Sequence, residues 1–383
     1  MLAAFVLGTL AIIGTILTSI QTLLTMRLRR RERPFAAGPG AAGSRPDDLL
    51  ISILKPVCGL DDELEQNLLS FVSLHGIQYE VILSIEDRDD PALPLATTMV
   101  RDHPDVFRLI VGGGMRPNGV INRKVDRLIS AASVARGEIL FISDSNMRVH
   151  PDAIARTIES FTDRNVGCVS NLFIASGARD IGAVLESLHV LMFVAPGTAL
   201  AAAAHVPCVV GKSMAISRRA LQAIGGFETF IRVLAEDQAI GLAVKKAGFR
   251  LIMSPVVVNN VVVKRTVQRA LDRQIRWNKI RYSFSHLLFA TEVLLNPLPF
   301  AVVAAMLGWP AILLLVLAAR YAQAFALRRA TGAALTGRHI LTLPLLDALM
   351  LYAWFVPFFS NRITWRGYHA RIGRGTRLIQ AAA

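Results

Sequence analysis

Residues 137–145, GEILFISDS, run apolar from Ile139 to Ile142 and then stop on an acid, Asp144. A short apolar run ending this way fits a strand buried on both faces. LLISILKP (49–56), YEVILSIED (79–87), FRLIVGG (107–113) and VGCVS (166–170) read alike. Between and beside them, residues 62–74, 91–101, 122–135 and 151–161 read as helices. Strands alternating with helices predict an α/β domain, a mostly parallel sheet with helices on both faces. Ligands of such sheets bind beyond the carboxyl ends of the strands. Asp87 and Asp144 stand at two of those ends.

Outward from this region the chain turns apolar. Of 383 residues, 53% are hydrophobic and only 18% charged, where a soluble domain carries about a quarter charged. Disorder is excluded by that apolar content, and a disulfide scaffold by the odd set Cys58, Cys168 and Cys208. Residues 1–26 carry no charge and can cross a hydrocarbon core of roughly 30 Å as a helix. RLRRRER (27–33) follows directly, which favours an uncleaved anchor with its N-terminus outside over a cleaved signal peptide. Residues 27–48, ending in PFAAGPGAAGSRPDD (34–48), read as a basic, flexible linker. The catalytic domain is then expected over 49–285, on the cytosolic side of what is most simply a bacterial inner membrane.

After residue 286 the chain is apolar again. Residues 287–307 and 310–327 predict a membrane hairpin turning at Gly308-Trp309-Pro310, with Arg320 interrupting the second arm unless it snorkels or pairs. Residues 340–360 contain Pro344, Asp347 and Pro357. A full crossing there would place Arg362, Arg366, Arg371, Arg374 and Arg377 outside, so a re-entrant or interfacial segment is expected. The net charge of +14 comes from 42 Lys and Arg against 28 Asp and Glu. Residues 286–383 hold nine Arg but only Glu292 and Asp347 as acids. Charge so placed suits a membrane face. Neither zinc-finger spacing nor an aromatic–basic RNA motif speaks for nucleic acid.

Three acidic sites carry the candidate chemistry: Asp87, Asp144 and Glu236-Asp237 in LAEDQ (234–238). Each alone also fits a helix cap. Asp144-Ser145-Asn146 offers a carboxylate and an amide oxygen to a divalent cation such as Mg²⁺ or Mn²⁺, on one side of an extended segment. Such an ion neutralises a departing diphosphate. Asp237 is placed to act as general base on an attacking hydroxyl. RQIRW (273–277) offers guanidinium groups to phosphate and an aromatic face to a sugar or lipid. It equally fits a juxtamembrane anchor with an interfacial Trp.

The order of motifs resembles the ceramide glucosyltransferase family of membrane-bound GT-A glycosyltransferases. The pieces are LKPVCGLDDELEQNL (54–68), YEVILSIEDRDDPA (79–92), INRK (121–124), DSNMRVHPD (144–152), PCVVGKSM (207–214), GGF (225–227), LAEDQ (234–238), RQIRW (273–277) and WRGYHARI (365–372). The resemblance implies a GT-A, Rossmann-like catalytic domain and an inverting hexosyltransferase. It would move a sugar, glucose first, from a UDP-sugar to a lipid hydroxyl such as ceramide. By the same resemblance Asp87 contacts the nucleotide, Asp144 the metal and diphosphate, and Asp237 is the catalytic base. Arg273, Arg276 and Trp277 match the RxxRW motif, and Lys55 and Lys124 match nucleotide or phosphate contacts.

Two positions depart from the pattern. Asn146 stands where a full DxD has its second Asp, and Ala195-Pro196 where animal members carry His–Pro after the Glu that aligns with Glu186. The second departure leaves the acceptor open, and bacterial relatives imply UDP-GlcNAc and a hopanoid or other lipid as the alternative. A polysaccharide synthase would need a larger transmembrane channel. An inactive scaffold would not keep Asp87, Asp144, Asp237 and RQIRW together. Cys208 reads as a small buried residue rather than a nucleophile.

Overall fold

The computed structural model describes residues 1–32, 49–115, 117–365 and 368–380, so most of the expected linker lies outside the described residues. Arg27 and Arg29, counted with that linker above, belong to the last turn of the first helix, Leu2–Arg29. The chain forms two compact units that do not follow chain order. One is Arg31–Phe173 with Ala204–Val261, and the other is Met1–Arg30 with Ile174–Ala203 and Val262–Ala383.

The first unit is built on an eight-stranded sheet. Its strands are β1 (Leu50–Val57), β2 (Gln78–Ile85), β3 (Phe107–Val111), β4 (Ile139–Ser143), β5 (Met147–Arg148), β6 (Val166–Ser176), β7 (Ser213–Ser217) and β8 (Arg250–Val261). They lie in the order β3-β2-β1-β4-β7-β6-β8-β5. The pairs β1–β2, β1–β4 and β2–β3 are parallel. Beyond β4 the pairing reverses, with β7 antiparallel to both β4 and β6. Leu54, Ile82, Leu140 and Ile142 of the parallel strands meet Val125 and Leu128 of helix Arg123–Val134 in one core. Burial of these apolar runs drives the assembly, at about 25 cal/mol per Å² removed from water. The five strands read from the sequence all form. β5, β7 and β8 come in addition.

The second unit is helical. Its first helix, Leu2–Arg29, buries a stripe of small and polar residues: Ala4, Gly8, Ala11, Gly14, Thr18, Gln21, Thr22 and Thr25. Large apolar side chains such as Phe5, Ile12, Ile16, Ile20 and Leu23 point outward. That inversion suits a helix in lipid, where small residues let helices approach and polar side chains bond between them. A Cβ on Gly14 would lie 2.2 Å from the Leu294 carbonyl oxygen. Gln323 Nε2 donates to Thr18 Oγ1 (3.1 Å) and Ser19 Oγ (3.0 Å).

Among the described residues, three helices are long and apolar enough to cross a membrane: Leu2–Arg29, Ile181–Ala203 and Pro310–Thr331. The stretch expected as one span over 287–307 is two helices, His286–Leu295 and Leu298–Met306, bent by 61°. Pro297 and Pro299, one at the break and one in the first turn after it, account for the bend, because proline lacks the N–H a helix needs. Helix Leu343–Phe355 has 13 residues, about 20 Å at 1.5 Å per residue, short of the roughly 30 Å hydrocarbon core. Ile181–Ala203, which the sequence reading kept inside the catalytic domain, carries a π-turn at Val190–Val194. Pro196 follows two residues later, and the wider turn takes up its missing N–H. The chain ends in a small antiparallel sheet, β9 (Arg362–Trp365), β10 (Tyr368–Ile372) and β11 (Leu378–Gln380).

Of the two outcomes open to Arg320, snorkelling or pairing, the structure shows pairing. Its Nε donates to Asp347 Oδ2 at 3.0 Å and its Nη2 to Oδ1 at 2.6 Å, with both side chains buried. Removing one partner of a buried pair strands a charge, whereas replacing both with apolar groups removes the problem. Asp347→Ala should therefore destabilise the detergent-solubilised protein by about 3–5 kcal/mol, while Arg320→Met with Asp347→Leu should lose far less. Thermal unfolding of the two variants decides. Equal losses would contradict the pairing.

Candidate active site

β4 ends at Ser143, and Asp144 follows it. The Met147 N–H donates to the Asp144 carbonyl (3.1 Å), so Asp144-Ser145-Asn146 is a tight turn and not the extended segment expected from the sequence. The turn is held from below. Lys55, wholly buried on β1, donates to the Asp144 carbonyl (3.0 Å) and Ser143 Oγ (3.2 Å) and sits 4.0 Å from the centre of the Phe71 ring. Burial pulls the Lys55 ammonium down to about 7, against the attraction of Asp144 and Asp61. Ser145 Oγ donates to Asp61.

Above the turn stands Lys124, in the first turn of the helix that Asn122 caps. Asn122 Oδ1 accepts from the Lys124 and Val125 N–H groups, and its Nδ2 donates to Glu236 Oε2 at 3.0 Å. The Lys124 ammonium reaches Asp144 Oδ1 at 2.9 Å, Glu236 Oε1 at 3.0 Å and the Gly211 carbonyl at 3.0 Å. Burial opposes its charge, yet Asp144, Glu236 and Asp237 together hold it above the ordinary lysine range.

Asp237 lies in the first turn of helix Glu236–Lys246, beyond the N-cap position held by Ala235. Its Oδ2 accepts the Gly211 N–H at 2.6 Å and its Oδ1 the Gln238 N–H at 2.8 Å. Each carboxylate oxygen has a second lone pair for a ligand. Burial, then the charge of Glu236, lifts Asp237 to about 6, against the opposing pull of Lys124 and the two N–H donors. A carboxyl titrating there is poised for proton transfer near neutral pH. Gly211 allows the approach. A Cβ on it would lie 2.8 Å from Asp237 Cβ and 3.1 Å from Lys124 Nζ.

The structure thus gathers Lys55, Lys124, Asp144 and Asp237 at the end of β4. Asp87 is exposed two residues past β2, with β1 lying between β2 and β4 in the sheet. Arg273, Arg276 and Trp277 lie on helix Val267–Phe284 of the helical unit. There Arg273 pairs with buried Glu186, whose other oxygen is 3.4 Å from Arg265, and its guanidinium stacks 4.5 Å from the Trp277 ring centre. His189 meets the same ring edge-on at 6.1 Å.

Sequence reasoning passed over Lys212, Gly211, Asn122 and Asp61. PCVVGKSM and INRK contain three of them, but only the strand pairing shows what they face. Asp144 and Asn146 suit a hard divalent ion, since their side-chain oxygens already share one cation, the Lys212 ammonium, at 3.4 and 3.3 Å. Among the described residues no group of three or more His, Cys, Asp or Glu is arranged to hold a metal. The ion would complete its shell from diphosphate and water.

Residues 6–378 match Glycosyl transferase family 21. The chain belongs to that family. It is 27% identical over 303 residues to ceramide glucosyltransferase 1 of Caenorhabditis elegans, covering 74% of this chain and 60% of the relative. To ceramide glucosyltransferase 3 of the same organism it is 25% identical over 265 residues, covering 67% and 55%. The family 21 chain described here thus spans about 55–60% of the length of these relatives. Its fold resembles that of the mannosyltransferase PcManGT from Pyrobaculum calidifontis, solved in complex with GDP-Man and Mn²⁺, with a TM-score of 0.50 and 21% identity. That match covers 92% of this chain and 99% of the other. The α/β fold is the GT-A fold expected from the sequence, joined to apolar helices at both ends of the chain.

A carboxyl raised by burial and a like charge should fall when the like charge is removed. Infrared titration of the carboxylates, taken as the difference between wild type and Asp237→Asn, should place Asp237 near pH 6. Glu236→Gln should move that step to lower pH. A wild-type step near the ordinary value of about 4 would contradict the description.

Proposed function

We propose that this chain is an inverting glycosyltransferase at the cytosolic face of a membrane, in bacteria the inner one. It moves glucose from UDP-glucose to a lipid hydroxyl such as that of ceramide. The observation that carries the reading is the Lys124 cluster, which sets a strand-end carboxylate beside a second carboxyl whose pKa is raised to about 6. One suits a diphosphate and its ion, the other a proton in flight.

Asp237 takes the proton of the acceptor hydroxyl. The oxygen so freed bonds to the anomeric carbon while the bond from that carbon to UDP breaks, which inverts the centre in one displacement. The Gly211 and Gln238 N–H groups fix the Asp237 carboxylate for this step. Lys124 holds Asp144 and Glu236 in place and supplies positive charge beside the donor. A divalent ion, Mg²⁺ or Mn²⁺, held by Asp144 and Asn146 supplies charge neutralisation at the departing diphosphate when bound. The structural neighbour, in complex with GDP-Man and Mn²⁺, pairs a nucleotide sugar with a divalent ion, which supports a donor and ion of that general class. Asp87 enters as a nucleotide contact from the end of β2. Arg273, Arg276 and Trp277 enter on the RxxRW motif alone, as phosphate or acceptor residues. Lys55 acts through the Asp144 turn that it supports.

The acceptor has a second reading. Ala195-Pro196 stands where the animal enzymes carry His–Pro, which favours a different lipid, such as a hopanoid, and with it N-acetylglucosamine as the sugar.

The base assignment separates binding from turnover. Asp237→Asn should lower single-turnover transfer by roughly 10²–10⁴-fold, the usual worth of a general base, with UDP affinity by calorimetry nearly unchanged. Near-normal transfer would refute the base. Lost UDP binding would move Asp237 to the donor.

A further inference from the structure

Lys212 precedes β7 and stands directly across from Asp144. The antiparallel register pairs Ser143 with Ser213, and the Asp144 N–H continues it by donating to the Lys212 carbonyl at 3.2 Å. The backbone therefore delivers the Lys212 side chain to the Asp144 turn. Its ammonium lies 3.4 Å from Asp144 Oδ2, 3.3 Å from Asn146 Oδ1 and 6.0 Å from the Phe173 ring centre, with 13% of the side chain exposed.

The Asp144 carboxylate thus carries one ammonium on each oxygen, and the two are not held equally. Lys124 is fixed by short bonds to Glu236 and to the Gly211 carbonyl as well. Among the described residues, the Lys212 ammonium has long contacts to Asp144 and Asn146 as its polar partners, near the outer limit for a hydrogen bond. Burial lowers its pKa, the nearby Lys124 charge adds to that, and Asp144 opposes. A divalent ion on Asp144 and Asn146 needs the oxygens that Lys212 faces, and like charges cannot share them. Between the two ammoniums, Lys212 is the one free to yield. Its four-carbon stem lets it follow the charge.

We propose that Lys212 is a further diphosphate-binding residue, which holds the cation position between Asp144 and Asn146 while the donor site is empty and passes to a phosphate oxygen when donor and ion enter. This rests on the reading of the site as one for a nucleoside diphosphate sugar. It gives the site a resident cation where the second acid of the DxD pattern is replaced by Asn146. The positive charge that would repel the ion becomes a ligand for the phosphate that accompanies it.

The test uses calorimetry on the full chain in lipid nanodiscs, with MnCl₂ alone and UDP in saturating Mn²⁺ as probes. Lys212→Met should bind Mn²⁺ alone more tightly than wild type, because no ammonium competes for the oxygens. Its affinity for UDP in saturating Mn²⁺ should fall roughly ten- to hundredfold, the worth of one charge-assisted hydrogen bond. Lys212→Arg, which keeps the charge, should retain most UDP affinity. Unchanged Mn²⁺ and UDP affinities in Lys212→Met would overturn the proposal, as would equal UDP losses in both variants, the mark of a packing role. Failure of wild-type protein to bind UDP at any Mn²⁺ concentration is a different result, and would overturn the donor-site reading itself.

Discussion

One half-buried ammonium ties the α/β unit together. Lys124 Nζ reaches Asp144 after β4, Glu236 at the start of helix Glu236–Lys246, and the Gly211 carbonyl ahead of β7. These residues are far apart in sequence, and each carries a polar group that is costly to bury alone. Their mutual pairing fixes where three segments meet. With Lys124 in place, Asn122 can cap its helix and hold Glu236 at once, and Gly211 can hand its N–H to Asp237. Without it, two carboxylates would face each other in a site of low dielectric, where like charges are most strongly felt.

The same constraint governs the helical unit. Arg320 and Asp347 are buried and joined by two bonds, and Asn296 donates to the Asp347 carbonyl at 2.7 Å. Thr18, Ser19 and Gln323 bond between helices, while the outer face of Leu2–Arg29 presents Ile and Leu. Polar groups that face lipid cannot find water, so these turn inward and pair with one another. Glu186 plays that part for Arg265 and Arg273.

The readable parts of the fold are those where local sequence and burial agree. β1, β2, β4 and β6 are largely buried apolar runs and β3 a half-buried one, and such runs are visible in one dimension. β7 is only five residues, SMAIS, between Lys212 and Arg218, and β8 contains Pro255, Asn259 and Asn260, so neither reads as a strand. Helix Ile181–Ala203 hid as a crossing candidate because Glu186 and His189 interrupt its apolar character, though both are buried within the protein. In the site, Asp144 and Asp237 were legible from strand-end placement and motif, and Lys124 from its motif. Gly211, Asn122 and Lys212 were not, since their meaning lies in cross-strand register and in contacts spanning tens of residues. The apolar run marks where β4 stops but not the path of the chain beyond it, so Asp144-Ser145-Asn146 is a turn where an extended segment is expected.

The central claim is that the end of β4 is where donor and ion sit. Crystals of the full chain grown with UDP and MnCl₂, measured at the manganese absorption edge, address it without reference to turnover. The account predicts an anomalous peak within coordination distance of Asp144, about 2.1–2.2 Å for a first-row divalent ion on oxygen, with the UDP diphosphate density beside it. A diphosphate bound elsewhere, with no anomalous peak at Asp144, would contradict it.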